Sequence, residues 1–240
     1  MNEQIKNELA PTGVLRVAIN LGNFLLVTAR ADNGEPEGVS PDIGKIIADR
    51  LAVPVKYVLY DTPGAVADAA TNDEWDIANI GAEPERAKTI AFTTAYCEIE
   101  STYLVPAGSK LQTVDEVDAE GVRIAVYGRA AFGLWLSDHI KHAELVKTEG
   151  MDASFDLFVE QELDALAGLR TRLLEDVKKL PGARVLDGQF SAVQQAIGTR
   201  PDRRRSAEFL QAFVEEAKSS GLVASLIEKH GVVGRLTVAP

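Results

Sequence analysis

The stretch that decides the fold reads Gly81-Ala82-Glu83-Pro84-Glu85-Arg86-Ala87-Lys88 and, one residue later, continues as Ile90-Ala91-Phe92-Thr93-Thr94-Ala95-Tyr96. Just before it, the mostly apolar residues 75–80 predict a short buried strand. Pro84 suits the first position of a short helix that would carry Arg86. The pattern therefore places one permanent cation where a buried strand delivers a loop into a helix.

Arg86 is a candidate for the capture of a small carboxylated molecule. A guanidinium is planar and always charged, and its two-pronged donor face matches a carboxylate. Each such contact contributes roughly 1.5–3 kcal/mol when it is shielded from water. The alternative from this loop alone is that Arg86 forms a solvated ion pair with Glu83 or Glu85.

Strands and helices alternate on the amino-terminal side of this stretch. Ser40 is predicted as a helix N-cap and Pro41 as the first helical residue, and apolar residues follow at helical spacing. Buried strands are predicted at 15–19, 53–59 and 76–80, and helices from Ser40 and at 65–70. A strand, a helix and a second strand in this order are typical of a parallel α/β unit.

The alternation restarts after a break at Pro106-Ala107-Gly108-Ser109, which we interpret as a crossing between two lobes. The predicted strands are 101–105, 122–127, 144–146, 163–167 and 183–186, and the predicted helices are about 130–140, 155–159 and 170–180. Asp187-Gly188-Gln189 would return the chain to the first lobe. An apolar stripe then predicts a long helix that stops at Gly221, and a shorter helix follows at 222–230.

The strand with Asp76 and Gly81 at its ends, the turn Pro84-Glu85-Arg86 and the following segment to Tyr96 resemble the amino-acid-type (family 3) solute-binding proteins that serve ABC importers. The resemblance extends over nearly the whole chain. It implies an α/β, two-lobed periplasmic binding protein-like fold of type II, in which each lobe is a doubly wound mixed sheet. Lobe 1 is expected to comprise residues 1–105 and 190–240, and lobe 2 residues 106–189. The ligand is expected to bind between two lobes that close on it.

The resemblance also assigns ligand contacts in the first lobe. It implies that Arg86 binds the ligand carboxylate. Residues 20–25 take the place of a loop whose aromatic ring stacks on the ligand, which makes Asn23 and Phe24 candidates; a core role for Phe24 is the alternative. The stretch Gly81, Ala82 and Glu83 takes the place of a segment that offers backbone groups and hydroxyls, but it lacks the hydroxyls.

Gln194 and Gln195 lie just beyond the predicted return to the first lobe. They are candidate hinge or ligand-contacting donors, with Gln194 the preferred one. The alternative is that both are exposed glutamines.

In the second lobe, relatives carry Gly-Thr-Thr where a strand enters a helix, whereas this chain has Arg129-Ala130-Ala131. The helix N-terminus, which favours anions, is kept, but its hydroxyls are lost. Relatives that bind α-amino acids place an aspartate where this chain has Leu169. The second-lobe candidates for ligand contact are therefore Arg129, Ala130, Phe132, Gly168 and Leu169.

The missing aspartate matters because a buried ammonium without a carboxylate partner costs several kcal/mol. Unless Glu83 or Glu98 substitutes, the expected ligand is a carboxylate with an apolar or aromatic remainder. A ligand with more than one anionic group is the alternative if Arg129 also faces it.

Composition excludes several classes of function. The chain has 240 residues, 46% hydrophobic and 25% charged, which is ordinary for a globular protein. A formal net charge of −11 argues against nucleic acid, because phosphates require a basic surface. The basic run Arg203-Arg204-Arg205 is interpreted as a solvated face. No apolar stretch approaches the roughly 20 residues that span a bilayer, so no membrane insertion is expected.

The first eight residues lack a signal-peptide core. The resemblance implies a periplasmic protein if a leader was removed, and a cytoplasmic one if Met1 is the native start. The lone Cys97 allows no internal disulfide. We expect a monomer whose partners are a small carboxylate ligand and an ABC permease.

Catalytic, cofactor and metal motifs are missing. Gly128 and Gly133 have the spacing of a phosphate-binding loop but lack its lysine and hydroxyl. His139 and His142 are predicted on one helix without a further ligand and are interpreted as solvated. We therefore expect no cofactor, no metal and no enzyme. The alternatives left open are a cytosolic sensor or carrier, and a cyclohexadienyl-dehydratase-like enzyme in which Glu83 or Glu98 would supply the acid.

Overall fold

The computed structural model describes residues 3–240, so Met1 and Asn2, on which the expectation about the native start depends, lie outside the described residues. In chain order the elements are α1 (Glu3–Leu9), β1 (Leu15–Asn20), β2 (Ala29–Arg30), β3 (Pro36–Glu37), α2 (Val39–Leu51), β4 (Val55–Tyr60), α3 (Pro63–Asp68), β5 (Ile77–Gly81), β6 (Ala91–Phe92), β7 (Cys97–Val105), β8 (Arg123–Tyr127), α4 (Ala131–His139), β9 (Glu144–Thr148), α5 (Met151–Glu160), β10 (Ala165–Leu169), α6 (Arg170–Asp176), β11 (Arg184–Val185), β12 (Ser191–Thr199), α7 (Arg204–Ser219), α8 (Leu222–Lys229) and β13 (Thr237–Val238). Single 3-10 turns lie at Ala69–Thr71, Arg86–Lys88, Val114–Glu116 and Val177–Lys179.

The chain forms two compact lobes. Among the described residues, lobe 1 comprises 3–98 and Gln194–Pro240, and lobe 2 comprises Ile99–Val193. The boundaries fall inside β7 and β12, whereas the sequence placed them after residues 105 and 189. The Pro-Gly break at 106–109 marks the end of β7, but the chain has already left lobe 1 within that strand, because an extended strand can continue from one lobe into the next.

Lobe 1 is built on strands in the order β4-β1-β5-β12. β1 runs parallel to β4 and to β5, and β12 runs antiparallel to β5 with Gln195 opposite Gly81. The carboxyl ends of β1 and β5 and the beginning of β12 therefore meet at one edge of the sheet. We call this the lobe 1 site edge: residues 20–26, 81–86 and Gln194.

Lobe 2 repeats the arrangement around β8. This strand runs parallel to β9 and to β10, and β10 pairs antiparallel with β7. The carboxyl ends of β8 and β10 consequently share an edge, from which the lobe 2 loops, residues 128–132 and 168–169, begin.

Apolar residues hold each lobe together. In lobe 1, Trp75 packs with Val66, Ile80 and Ile90, and its indole Nε1 donates to the Val66 carbonyl at 3.1 Å. Every residue of β5 is buried, as expected for a central strand covered on both faces. In lobe 2, the core includes Leu104, Ala125, Phe158, Leu163, Leu166 and Leu173.

Two predicted helix starts were wrong. The first residue of α2 is Val39 with Gly38 as N-cap, so Ser40 and Pro41 are the second and third helical residues. Gly38 is required there because its φ is 153° and a Cβ would lie 2.2 Å from the Leu26 carbonyl oxygen. Pro84 likewise precedes a single 3-10 turn that begins only at Arg86.

The basic run near the start of α7 was also partly misinterpreted. Arg204 and Arg205 are exposed, but the Arg203 side chain is only 11% exposed and its Nη1 lies 3.0 Å from the buried Asp76 carboxylate. Pairing, rather than solvation, therefore accounts for Arg203. Within residues 3–240, none of the helices has the length and apolar character to cross a membrane.

Candidate ligand-binding site

Arg86 is buried at the lobe 1 site edge, with 4% of its surface exposed. Its Nη1 donates a hydrogen bond of 2.8 Å to the carbonyl of Gly81, the last residue of β5. The amides of Thr89 and Ile90 donate to the Arg86 carbonyl, which fixes its backbone as well. The solvated surface position considered from the sequence is therefore wrong, because the Arg86 side chain is buried and folds back onto the end of the preceding strand.

Backbone hydrogen bonds hold the loop between β5 and Arg86 at both of its ends. The Ala82 amide donates to the Gln194 carbonyl at 2.8 Å, and the Ala87 amide donates to the Glu83 carbonyl at 2.9 Å. Glu83 is 7% exposed, so a carboxylate is buried close in sequence to the Arg86 cation. A fixed loop with two buried charges can orient a polar ligand without first having to order itself.

Gln194 and Gln195 are not exposed glutamines. Gln195 is buried, and Gln194 is half-buried with its Nε2 donating to Glu98 Oε2 at 2.8 Å. Both belong to β12, which was not predicted as a strand. Glu98 is thereby held at the first lobe boundary, beside the end of β5.

Residues 20–26 form a tight turn after β1. Asn23 Oδ1 accepts from the amides of Leu25 and Leu26 at 3.2 and 3.3 Å, so this side chain shapes the turn. Leu25 and Leu26 are buried and anchor the loop, whereas Phe24 between them and Asn23 is 37% exposed. The core role considered for Phe24 is wrong, because its ring stands at the surface of the loop.

Two buried polar side chains behind this edge were missed by the sequence analysis. Asn79 in β5 donates from Nδ2 to the Ser40 carbonyl at 3.0 Å. Among the described residues, Asn79 Oδ1 and Ser40 Oγ have no hydrogen-bond partner. An asparagine inside a buried strand was the available signal, since such a side chain needs a polar partner.

Cys97 lies in β7 beside this edge and is fully buried. Burial, and then the charge of Glu98, raise the pKa of the Cys97 thiol well above its usual range. The thiol therefore stays protonated and is unsuited to act as a nucleophile.

In lobe 2, the Arg129 side chain is exposed, whereas Ala130 and Phe132 at the start of α4 are buried. Gly133 lets this helix start close to β8, because a Cβ there would lie 2.1 Å from the Tyr127 carbonyl oxygen. Phe132 lines a small pocket beneath this turn together with Tyr127 and Leu166. The ligand contact expected of Phe132 from the sequence stays a prediction.

Gly168 and Leu169 end β10 and are both buried. Leu169 lies opposite Ser101 of β7, whose Oγ has no partner among the described residues. Arg170, directly after Leu169, is held by Glu100 Oε2 at 2.6 Å and by the Leu186 carbonyl at 3.2 Å.

The structure therefore groups the predicted contacts by lobe. One edge of lobe 1 collects Asn23, Phe24, Gly81, Ala82, Glu83, Arg86 and Gln194, and one edge of lobe 2 collects Arg129, Ala130, Phe132, Gly168 and Leu169. Among residues 3–240, no group of three or more His, Cys, Asp or Glu side chains is arranged to hold a metal ion. His139 ends α4, so His142 lies beyond the helix on which both were predicted; both side chains are exposed.

Comparison with solved structures identifies the fold. A mutant of ArgBP from T. maritima superposes with a TM-score of 0.73 and 23% identity, covering 95% of this chain and 99% of that one. The ancestral amino acid-binding protein AncCDT-1, a precursor of cyclohexadienyl dehydratase, gives 0.71 and 21% identity over 93% and 98%. AbpA from Streptococcus pneumoniae, an amino acid ABC transporter substrate-binding protein bound to L-arginine, gives 0.72 and 19% over 92% and 96%.

These likenesses confirm the two-lobed periplasmic binding protein-like fold. A search of curated protein sequences finds no match to this chain. The profile of the bacterial extracellular solute-binding proteins, family 3, matches residues 15–233. Because that match spans most of the sequence, the chain belongs to family 3 of the bacterial extracellular solute-binding proteins, the amino-acid-type binding proteins of ABC transporters.

Proposed function

We propose that this protein captures a small carboxylated solute at the lobe 1 site edge and delivers it to an ABC-type importer as its substrate-binding component. The observation that carries the proposal is the buried guanidinium of Arg86, held by the Gly81 carbonyl at the end of β5. In this proposal, Arg86 binds the solute's carboxylate.

Burial and fixation both favour this role. A charge-assisted hydrogen bond is stronger where the surroundings exclude water, and a side chain held in one orientation loses little entropy on binding. The N–H groups of a guanidinium lie in one plane, so its bond to Gly81 also fixes the plane in which the remaining N–H groups point.

The rest of the solute is proposed from the neighbouring side chains. Phe24 supplies an exposed ring at the same edge. This ring favours a solute with an apolar or aromatic remainder. Glu83 at the lobe 1 site edge and Glu98, which accepts a hydrogen bond from Gln194 of that edge, are the candidates to hold an ammonium group. Because AbpA is bound to L-arginine, amino acids stay within the proposed class of solutes.

The proposal is tested by a thermal-shift screen of carboxylic acids and amino acids, followed by calorimetric titration of each solute that raises the melting temperature. A solute that binds only the folded state raises that temperature with its concentration. The decisive variant is Arg86→Met, with Arg86→Lys to keep the charge but remove the planar donor face. Lys88→Met is the matched control, because it removes a cation from the same loop where the side chain is exposed and paired with Glu85.

We expect Arg86→Met to weaken binding by about 10- to 150-fold, the equivalent of losing one charge-assisted contact. The affinity of Arg86→Lys should lie between those of Arg86→Met and the unaltered protein. Lys88→Met should bind the solute as tightly as the unaltered protein does. Circular dichroism must show that each variant is folded. Retention of affinity within twofold in a folded Arg86→Met variant would refute the role of Arg86.

Two further expectations belong to the same proposal. Small-angle scattering with and without solute would measure whether the lobes close on it. Incubation with prephenate or arogenate would test for a dehydratase; consumption of either compound would replace solute capture by catalysis.

A further inference from the structure

Lobe 2 contains a cavity of about 350 Å³ that the proposed function does not use. Phe158 and Leu163 form its buried floor, Pro106 and Pro181 stand in its walls, and Val159 lies at its rim. Its volume is within the range of small-molecule sites, roughly 300–1,000 Å³. The two proline rings restrict the backbone of the walls, so the cavity is largely preformed.

This lobe 2 cavity lies at the opposite edge of the sheet from the lobe 2 loops. Leu163 precedes β10, and Pro106 follows β7, which is antiparallel to β10. Leu169 is at the other end of β10, about 20 Å away at the rise of an extended strand. A molecule in the cavity would therefore not touch the lobe 2 loops.

Glu162 is the one charged residue that lines the cavity. It follows the C-cap of α5 with a φ of 47°, in the left-handed region. That conformation is unfavourable for a residue with a Cβ, which is why glycine usually occupies it. Among residues 3–240, the Glu162 carboxylate takes part in no ion pair or hydrogen bond.

Asp73 of lobe 1 occupies the corresponding position, but unlike Glu162 it forms ion pairs with arginines. It also has a positive φ, 54°, and also precedes a central strand. Its carboxylate, however, lies 3.2 Å from Arg16 and 3.3 Å from Arg200. In lobe 1 the unfavourable backbone places a carboxylate against arginines, whereas in lobe 2 it places one at the rim of an apolar cavity.

Two cations close to the residues of the cavity, Arg123 and Lys179, are engaged elsewhere. Arg123 Nη2 donates to the backbone carbonyls of Gln161 and Glu162 at 3.3 and 3.1 Å, not to the carboxylate. Lys179 pairs with Asp176 and lies over the Phe155 ring. We propose that the lobe 2 cavity binds a small amine with an apolar body, whose protonated nitrogen pairs with Glu162.

The test uses three probes of one shape and different charge: 2-phenylethylamine, 2-phenylethanol and 3-phenylpropionate. Each is titrated into ¹⁵N-labelled full-length protein, and the amide shifts locate where it binds. The amine should shift the amides of 158–163 and 180–183 and bind there about two- to fivefold more tightly than the alcohol, as expected for one exposed ion pair. The carboxylate should bind there more weakly than the alcohol.

Glu162→Gln should reduce amine binding to the level of the alcohol, and Glu160→Gln, which alters an exposed carboxylate outside the cavity lining, should leave it unchanged. Val159→Trp, at an exposed helix position on the rim, should weaken both probes at least tenfold by filling the cavity. Equal binding of amine and alcohol, an unchanged preference in Glu162→Gln, or shifts confined to other amides would each overturn the proposal. If Val159→Trp does not fold, Glu162→Gln alone decides it.

Discussion

Arg16 and Asp76 join the amino ends of β1 and β5 through four hydrogen bonds. The Arg16 amide, Nε and Nη2 donate to the Asp76 carboxylate at 2.9–3.0 Å, and the Asp76 amide donates back to the Arg16 carbonyl at 2.9 Å. Lobe 2 repeats the backbone part of this arrangement: the Arg123 amide donates to Asp164 Oδ2 at 2.8 Å, and the Asp164 amide to the Arg123 carbonyl at 3.0 Å. The two lobes thus share the same pair of arginine–aspartate hydrogen bonds at the amino ends of two neighbouring parallel strands.

Asp76→Asn should destabilise the protein strongly. Asp76 is fully buried and also pairs with Arg203, so its loss removes the buried counter-charge of two arginines and leaves them only the exposed carboxylate of Asp73. Breaking a buried ion pair from one side costs about 3–5 kcal/mol. Urea denaturation followed by circular dichroism measures the change. Asp164→Asn is the matched control, because that side chain is 44% exposed, and it should cost less than about 1 kcal/mol. Equal losses in the two variants would contradict this account.

Asp42 should contribute stability that disappears in acid. Burial raises the pKa of its carboxyl, but hydrogen bonds from Lys229 and His230, each 2.7 Å from Oδ2, outweigh burial and leave the pKa below its usual 3.8. Because the folded-state pKa is the lower one, the contribution is complete above the unfolded value of 3.8 and is lost as the pH falls through the folded value.

We therefore expect Asp42→Asn to cost up to about 1 kcal/mol near neutral pH, since the group is partly solvated. Urea denaturation of both proteins across the acidic range should show the difference shrinking towards zero. A difference that stays constant down to the lowest pH at which the protein folds would mean that the lost contribution is not electrostatic.

Glu162→Gly should stabilise the protein by up to about 1 kcal/mol. Glycine adopts a positive φ without a Cβ clash, although it also makes the unfolded chain more flexible, which offsets part of the gain. Asp73→Gly is the contrasting variant, since it relieves the same backbone conformation but removes the pairing with Arg16 and Arg200. Thermal denaturation should show a rise for Glu162→Gly and no rise for Asp73→Gly.

Gly133→Ala should disturb the start of α4. Its Cβ would lie 2.1 Å from the Tyr127 carbonyl oxygen, which backbone movement must relieve at a cost of about 1–3 kcal/mol. Gly150→Ala is the control, because no heavy atom lies within 4 Å of the added methyl group. Chemical denaturation should separate the two variants, and amide shifts in Gly133→Ala should concentrate at residues 127–133. Similar stability of the two would show that the turn before α4 can yield.

Much of the fold was predictable because its central elements carry strong local patterns. The strand predicted at 15–19 is β1, the apolar stripe after residue 203 is α7, and the strand, helix and strand order predicted the parallel sheets. Weak patterns were missed: β12 is rich in small and polar residues, and β13 has only two residues. The position of Arg86 after a buried strand was evident from sequence, but its hydrogen bond to Gly81 was not.

The sequence by itself determined the alternation of strands and helices, the family and the cation that follows β5, because each is written in residues close together along the chain. Only the tertiary structure decided which polar groups are buried and what they bind. Asp76 meets Arg16 and Arg203, Asn79 meets Ser40, and Glu162 meets an apolar cavity. These partners are far apart in sequence or belong to several segments, so local sequence patterns cannot predict the contacts between them. Burial and pairing are properties of the packed chain, since they depend on which segments the sheet brings together.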